Sequence, residues 1–460
     1  MAEKNNACKL NFETALINVD SKKVFDWHTR PGAFEVLSPP WLAVKLIAKK
    51  GGIANGDSVC LEIPVGPISI KWNLAHDNYI ENKQFQDYQV SGPFSRWRHT
   101  HRFIGQPAGC LLEDEIEFGL PASFLTQPLF VNAVTHELQR LFRYRSEVLQ
   151  NVFSKPDQEV KSMNVLVSGS HGLIGSSLTP YLTSLGHKVK RLLRSSTDAS
   201  VDDIVWDQKR LLTPNELQGI DAVIHLAGEN IASGRWDENK KKALQDSRVN
   251  STKLLCESIS RLDSTPNSFL CASAIGYYGE GGTKELEETA LSGNSFLSHL
   301  CQDWENATKS LQERNVRVIN LRFGVVLSPK SGALARMLPP FKFGAGGNIG
   351  NGKQYMSWIA LDDVVHAISY CLDNDAVSGP VNFVAPKPVT NAEFTKAMGR
   401  VLNRPTFFPV PEFAARLAFG EMADELLLNS CRVKPTKLIN SGYQFLYPDI
   451  DSALRHVLGK

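Results

Sequence analysis

Gly169, Gly172 and Gly175 recur at three-residue spacing in the run Gly169-Ser170-His171-Gly172-Leu173-Ile174-Gly175. An apolar, strand-like run from Met163 to Ser168 precedes them, and a helix-like run ending at Gly186 follows. Glycines so placed can cradle a pyrophosphate. Gly169 permits a tight turn, Gly172 lets backbone approach the phosphates, and Gly175 lets the helix pack closely on the strand. The helix N-terminus adds unpaired N–H groups and the positive end of its dipole. The chemistry implied is dinucleotide binding. An NAD-preferring site places an acid about 20 residues further on, at the ribose hydroxyls. Here the second strand, 187–194, ends without an acid and carries Arg191 and Arg194 before Ser195, Ser196 and Thr197. Arginine pairs with a 2′-phosphate through parallel charge-assisted hydrogen bonds. NADP(H) is therefore expected over NAD(H), with Arg191, Arg194 and Ser195 around the extra phosphate.

Positioning such groups takes a repeated alternation of strand and helix, and residues 163–378 have one. A buried strand spans Ala222 to Gly228, a helical pattern Glu238 to Arg261, and a strand Ser268 to Ser273; a helix around Leu297 to Arg314 leads to a strand from Val316 to Leu327. This predicts an α/β Rossmann-type, doubly wound parallel sheet, with a small C-terminal lobe over 379–460. Ligands then sit at the carboxyl ends of the strands, where Gly169, Ala227-Gly228, Ser273 and Arg322-Phe323-Gly324 gather.

Residues 1–153 have a different texture. Strand-length apolar runs between Leu10 and Phe118 are separated by Gly51-Gly52, Asn55-Gly56, Gly66-Pro67 and Gly92-Pro93. Asp20 to His28 can start a short helix capped by Asp20 or Ser21. Val134, Leu138, Leu141, Phe142, Tyr144, Val148 and Leu149 stripe one long helix over 131–153. A curved antiparallel sheet closed by that helix, an α+β helix-grip, accounts for these pieces. His99 and His101 share a strand face with Trp97 and Phe103, with Glu113 or Glu115 as neighbouring acids. They are read as histidines hydrogen-bonded in a partly buried sheet, and no metal is expected. The polar, proline-bearing stretch 154–162 reads as a linker.

The chain has 460 residues, 42% hydrophobic and 21% charged, with net charge +2, a balance that favours neither nucleic acid nor an anionic membrane as partner. Met1–Asn6 lacks an apolar signal core and no 18-residue apolar run follows, so no membrane span is expected. The eight scattered cysteines, with no C-x-x-C pair, suit reduced thiols in a cytoplasmic protein.

Two resemblances extend these readings. Val24-Phe25-Asp26-Trp27-His28, Pro31-Gly32-Ala33-Phe34, Leu37-Ser38-Pro39-Pro40-Trp41 and the run from Gly92 to Phe103 resemble the START-like (SRPBCC, helix-grip) superfamily. That likeness implies an N-terminal pocket for a hydrophobic small molecule. Leu226-Ala227-Gly228-Glu229-Asn230-Ile231, Arg235-Trp236, Asp246-Ser247-Arg248, Ser273-Ala274-Ile275-Gly276-Tyr277-Tyr278-Gly279 and Tyr355-Met356-Ser357-Trp358-Ile359 resemble the extended short-chain dehydrogenase/reductase superfamily. Within its NAD(P)-dependent epimerase/dehydratase branch, the pattern is that of an atypical "epimerase family protein" group with its own C-terminal domain. The resemblance implies cofactor contacts at Gly169, Ser170, His171, Gly172, Leu173, Ile174 and Gly175. It implies further contacts at Leu226, Ala227, Gly228, Glu229 and Arg248.

That family's chemistry uses a Ser or Thr with a Tyr-x-x-x-Lys pair, the tyrosine moving a proton while the nicotinamide moves a hydride. Ser273 fits the hydroxyl position. The tyrosine and lysine positions hold Leu297 and Cys301. Tyr277 is the candidate replacement proton donor, with Tyr278 and His299 as alternatives. General acid–base help is worth about 10²- to 10⁴-fold, so the substitution divides two expectations. One is an NADP(H)-binding oxidoreductase or epimerase-like enzyme acting on a small molecule. The other is a catalytically impaired NADP(H)-sensing binding or regulatory protein. The glycine-dense stretch 343–354 is expected to close over a ligand, and Asp362 to cap the helix that follows Trp358-Ile359.

Overall fold

The computed structural model describes residues 7–65, 68–121, 127–154, 161–197 and 199–460. The chain divides near residue 160 into two compact units. Most of the expected linker, 155–160, lies outside the described residues.

In the first unit, seven strands form one antiparallel sheet: β1 (Cys8–Ile17), β2 (Lys45–Lys50), β3 (Ser58–Val65), β4 (Ile68–Ile80), β5 (Gln84–Ser91), β6 (Arg96–Gln106) and β7 (Gly109–Gly119). Their order is β1-β7-β6-β5-β4-β3-β2. Two short helices, α1 (Ser21–Thr29) and α2 (Ala33–Val36), lie between β1 and β2 in the chain, and α3 (Gln127–Val152) follows β7. Asp20 caps α1, its carboxylate accepting the Lys22 N–H at 2.7 Å. The 3.6-residue period of α3 turns Leu138, Phe142, Tyr144, Val148 and Leu149 inward and leaves Gln139, Arg143 and Gln150 exposed. Phe142 stacks on Phe12 of β1 with ring centroids 4.3 Å apart.

Alternation along β6 buries Trp97, His99, His101 and Phe103 together, as expected. Register corrects their acidic partner. His101 stands opposite Asp114 and Thr100 opposite Glu115, so Asp114 shares the buried face, whereas Glu115 pairs with Lys9 and Arg102. A pleat alternates faces at every residue, and the sequence alone did not give the register.

The second unit opens with β8 (Asn164–Ser168), α4 (Gly175–Ser184), β9 (Lys188–Leu193), β10 (Ile204–Val205), α5 (Pro214–Leu217) and β11 (Ala222–His225). It continues through α6 (Glu238–Gln245), α7 (Ser251–Ser260), β12 (Ser268–Ala274), β13 (Glu285–Leu286), α8 (Phe296–Asn306), α9 (Lys309–Gln312), β14 (Arg317–Phe323) and β15 (Val325–Leu327). Next come α10 (Gly332–Lys342), β16 (Tyr355–Met356), β17 (Trp358–Ala360), α11 (Leu361–Asp373) and β18 (Gly379–Phe383). Seven of these strands make a parallel sheet in the order β10-β9-β8-β11-β12-β14-β18. The order reverses between β8 and β11, which opens a crevice at their carboxyl ends.

Several expected elements are divided. The helical pattern 238–261 becomes α6 and α7, joined by a wider π-helical turn at Asp246–Asn250. The expected strand 316–327 breaks at Gly324, where a Cβ would stand 2.6 Å from the Ser357 carbonyl oxygen. Strand β18, starting at Gly379, joins the edge of the sheet beside β14, and the C-terminal lobe follows it. That lobe comprises β19 (Val389–Thr390), α12 (Asn391–Leu402), α13 (Glu412–Phe419), α14 (Glu421–Ala423), β20 (Arg432–Val433), α15 (Thr436–Asn440) and α16 (Ile450–Leu458). Asp362 is not the cap of α11: Ala360 holds that position, and Asp362 sits in the first turn with His456 Nε2 at 3.4 Å.

Asp363, one residue on, ties the lobe to α11. Its buried carboxylate accepts the N–H groups of Leu446 (2.8 Å) and Tyr447 (3.0 Å) and the Tyr443 hydroxyl (3.1 Å). Burial nevertheless pushes the carboxyl up to about 6. Replacing it by alanine strands those donors, at about 1–3 kcal/mol for each buried group left unpaired. Asp363→Ala should therefore lower the denaturant midpoint of the full chain, with a loss of at least about 2 kcal/mol.

Candidate functional site

The turn after β8 has the geometry its glycines predict. Gly169 takes a left-handed backbone (φ +72°) and lies so close to the Leu226–Ala227 peptide that a Cβ would stand 2.7 Å from Leu226 C. The Gly172 N–H donates to the Gly169 carbonyl at 2.9 Å. At Gly175 a Cβ would meet that carbonyl oxygen at 2.2 Å, so α4 can start there only without a side chain. The Ser170 hydroxyl is buried and has no hydrogen-bond partner among the described residues, while His171 is exposed. A pyrophosphate would supply the acceptors that this loop and the first N–H groups of α4 lack. The residues present fit a dinucleotide.

The other side of the crevice is held by the end of β11. Ser168 Oγ and His225 Nδ1 are 2.7 Å apart, and Ser168 Oγ accepts the Ala227 N–H at 3.3 Å. Burial pushes His225 down to about 4, so its ring is neutral at pH 7. Arg248, on the π-helical turn, donates to the Glu229 carbonyl at 2.9 Å and lies over the Trp304 ring. Glu229 is paired with Lys240 at 2.6 Å.

A cavity of about 450 Å³ extends from this crevice. Its wall includes Gly169, Gly172, Leu173, Ile174, Gly175, Leu226, Arg248 and Ser273, so these expected site residues converge. Leu297 and Cys301, where tyrosine and lysine were looked for, also line it. Burial pushes the Cys301 thiol up to about 12, which removes it as a nucleophile near neutrality. From further along the chain come Gln354, Tyr355, Ser357, Asn391, Glu425 and Asn429. Of these, Tyr355 and Ser357 fall in a motif noted in the sequence. Glu425 and Asn429 carried no sequence signal, because their place depends on how the lobe folds back.

Three expected residues have other engagements. Arg191 does not stand free for a 2′-phosphate: its Nη2 lies 2.5 Å from Asp203 Oδ2 and its Nε 3.1 Å from both carboxylate oxygens. Arg194 and Ser195 remain exposed just beyond the end of β9. Tyr277 is not in the cavity wall; its ring lies 3.5 Å from the Arg322 guanidinium carbon. Ser273 reaches the cavity, but its hydroxyl donates to Glu305 Oε1 at 2.8 Å. His299 is exposed on α8 and also lies outside the wall.

Glu305, which the sequence did not single out, anchors this region. It accepts from Arg322 through both oxygens, at 2.7 and 2.8 Å. Arg322 also donates to the Tyr278 hydroxyl (2.9 Å) and the Glu288 carbonyl (3.3 Å). Breaking a buried pair on one side costs about 3–5 kcal/mol. Glu305→Gln should accordingly destabilise the chain by about 3 kcal/mol in denaturant titration. Gly175→Val should weaken dinucleotide binding at least about tenfold, equivalent to about 1.4 kcal/mol, as measured by quenching of intrinsic fluorescence.

The description "NAD dependent epimerase/dehydratase family" matches residues 165–384, and a domain of unknown function (DUF1731) matches 410–457. The epimerase family protein Mb2239 of Mycobacterium bovis is 44% identical over 291 residues, covering 63% of this chain and 96% of that protein. A crystal structure described as the nucleoside-diphosphate sugar epimerase from Corynebacterium glutamicum aligns over 98% of this chain and 90% of its own. It has a TM-score of 0.79 and 32% identity. The human epimerase family protein SDR39U1 (isoform 2), crystallised with NADPH, aligns over 64% of this chain and 99% of its own, with a TM-score of 0.59 and 34% identity. With the glycine crevice and parallel sheet in place, the chain belongs to the NAD-dependent epimerase/dehydratase family, in its SDR39U1-like group.

Proposed function

We propose that the second unit is an NADP(H)-binding oxidoreductase or epimerase-like enzyme acting on a small, largely apolar carbonyl or alcohol. The observation that carries this reading is the continuous cavity of about 450 Å³, which runs from the phosphate-binding turn past Ser273 to Tyr355 and Asn391. Leu297, Leu300, Cys301, Trp304, Phe323 and Met337 make most of its wall apolar. A nucleoside-diphosphate sugar, named for the Corynebacterium glutamicum structure, would leave many hydroxyls unmatched against such a wall. A bound nicotinamide supplies or accepts the hydride. The protein must supply or remove one proton at the substrate oxygen, and Tyr355 is the hydroxyl in the cavity wall best suited to it. Its ring also lies under the Arg432 guanidinium, 4.9 Å from centroid to Cζ. Ser273, held by Glu305, positions rather than transfers.

NADP(H) is preferred in this reading because Arg194 and Ser195 lie exposed beyond the end of β9. The human relative crystallised with NADPH supports it. The second reading, a cofactor-sensing protein without turnover, is favoured by the apolar pair Leu297 and Cys301. We also read residues 1–153 as a START-like helix-grip module, supported by the seven-stranded antiparallel sheet and the long α3. A hydrophobic small molecule is its proposed ligand. The eight free cysteines suit a cytoplasmic location.

Arg194→Ala should raise the Kd for NADPH about tenfold or more and leave that for NADH nearly unchanged, while Arg191→Ala should change their ratio little. Turnover is tested by single-turnover loss of NADPH absorbance over a panel of apolar aldehydes and ketones. Oxidation that falls about 10²-fold in Tyr355→Phe, with NADPH binding intact, supports the enzyme. Tight NADPH binding without oxidation of any panel member supports the sensor.

A further inference from the structure

A buried polar cluster lies in the sheet of the first unit, outside every role assigned above. Asp87 on β5, His99 and His101 on β6, and Asp114 on β7 are all at most 9% exposed. Asp114 touches both imidazoles: His99 Nε2 is hydrogen-bonded to its Oδ1 at 3.0 Å, and His101 Nδ1 lies 2.6 Å from the same oxygen. Asp114 thus sits against one nitrogen of each ring and leaves the other turned toward Asp87. Those nitrogens, His99 Nδ1 and His101 Nε2, face Asp87 Oδ2 at 3.3 and 3.8 Å. The other Asp87 oxygen accepts from Trp97 Nε1 at 3.2 Å, which orients the carboxylate. Three ligand-type atoms thus converge on one point, all within 4.8 Å of one another.

We propose that Asp87, His99 and His101 bind one divalent transition-metal ion of the Zn²⁺ class, with Asp114 as the carboxylate that orients both histidines. Bonds of about 2.1 Å at tetrahedral angles separate ligand atoms by about 3.4 Å, close to the spacing seen here. Two neutral imidazoles and a carboxylate are a familiar set for such an ion, and a shared carboxylate behind the histidines is the outer support these sites carry. One observation favours a metal over protons alone: the 3.8 Å gap from His101 to Asp87 is too long for a hydrogen bond. This inference departs from the expectation of no metal, which read the histidines as hydrogen-bonded in the sheet and had only Glu113 or Glu115 as acids to complete a site; the register supplies Asp87 and Asp114 instead.

The test uses the full, tag-free chain, stripped with chelator and titrated with Zn²⁺ and with Co²⁺. Expected are one equivalent bound per chain, a rise in thermal midpoint with Zn²⁺, and the intense visible bands of tetrahedral Co²⁺. His101→Gln and Asp87→Asn should abolish the equivalent, Asp114→Asn should weaken it about 10- to 100-fold, and His136→Gln, at an exposed site, should leave it unchanged. Wild-type chain that binds neither ion saturably at micromolar concentration overturns the proposal and leaves a proton-held ion network. Binding that survives in folded His101→Gln and Asp87→Asn overturns it as well. The wild-type titration decides the matter even if those variants do not fold.

Discussion

A single buried cation, the Arg322 guanidinium, dictates much of the substrate side. Only 2% of its side chain is exposed, and a charge so placed must be met on every edge. Glu305 meets two nitrogens, and the Tyr278 hydroxyl and Glu288 carbonyl meet the third. The Tyr277 ring covers the guanidinium face. The network reaches β18, since Tyr278 donates to Asn382 Oδ1 at 2.7 Å. One ion pair therefore welds α8, β14, β18 and the turn after β12.

The consequence for chemistry is that polar groups near the strand ends neutralise each other. The Ser273 hydroxyl donates its hydrogen bond to Glu305, and burial pushes the Tyr278 phenol up to about 12. What α8 contributes to the cavity is largely apolar: Leu297, Leu300, Cys301 and Trp304. Another part of the wall is built from 354–357 and the C-terminal lobe. The glycine-dense stretch 343–354 contributes to that wall as a packed segment rather than a free flap: the Gly350 N–H donates to the Val410 carbonyl at 2.8 Å, the Val410 N–H donates to the Asn348 carbonyl at 2.7 Å, and a Cβ at Gly347 would meet the Phe408 carbonyl oxygen at 2.0 Å.

The first unit solves an opposite problem with the same physics. Its sheet buries two carboxylates beside two imidazoles, and the imidazoles, through hydrogen bonds and charge, hold Asp87 and Asp114 well below the usual carboxylate range although burial opposes this. In the second unit a guanidinium is neutralised by a carboxylate. In the first, carboxylates and imidazoles gather around the point at which the cation is proposed.

Local patterns determined the turn at Gly169–Gly175, the strand–helix alternation, the striped face of α3 and the cap at Asp20, because each depends on backbone conformation or on periodicity within a few residues. The dinucleotide crevice was legible for that reason, whereas Ser273, Arg248 and Leu226, which line it, were expected from the family resemblance. Pairings between distant segments were decided only by the tertiary structure. Asp203 takes Arg191 across 12 residues, Glu305 takes Ser273 across 32, and strand register selects Asp114 over its two acidic neighbours. Glu425 and Asn429, far along the chain from the phosphate turn, reach the cavity through the fold of the lobe. A side chain's type is written locally, but the charge or hydrogen bond that satisfies it is chosen by whatever the fold brings within about 3 Å.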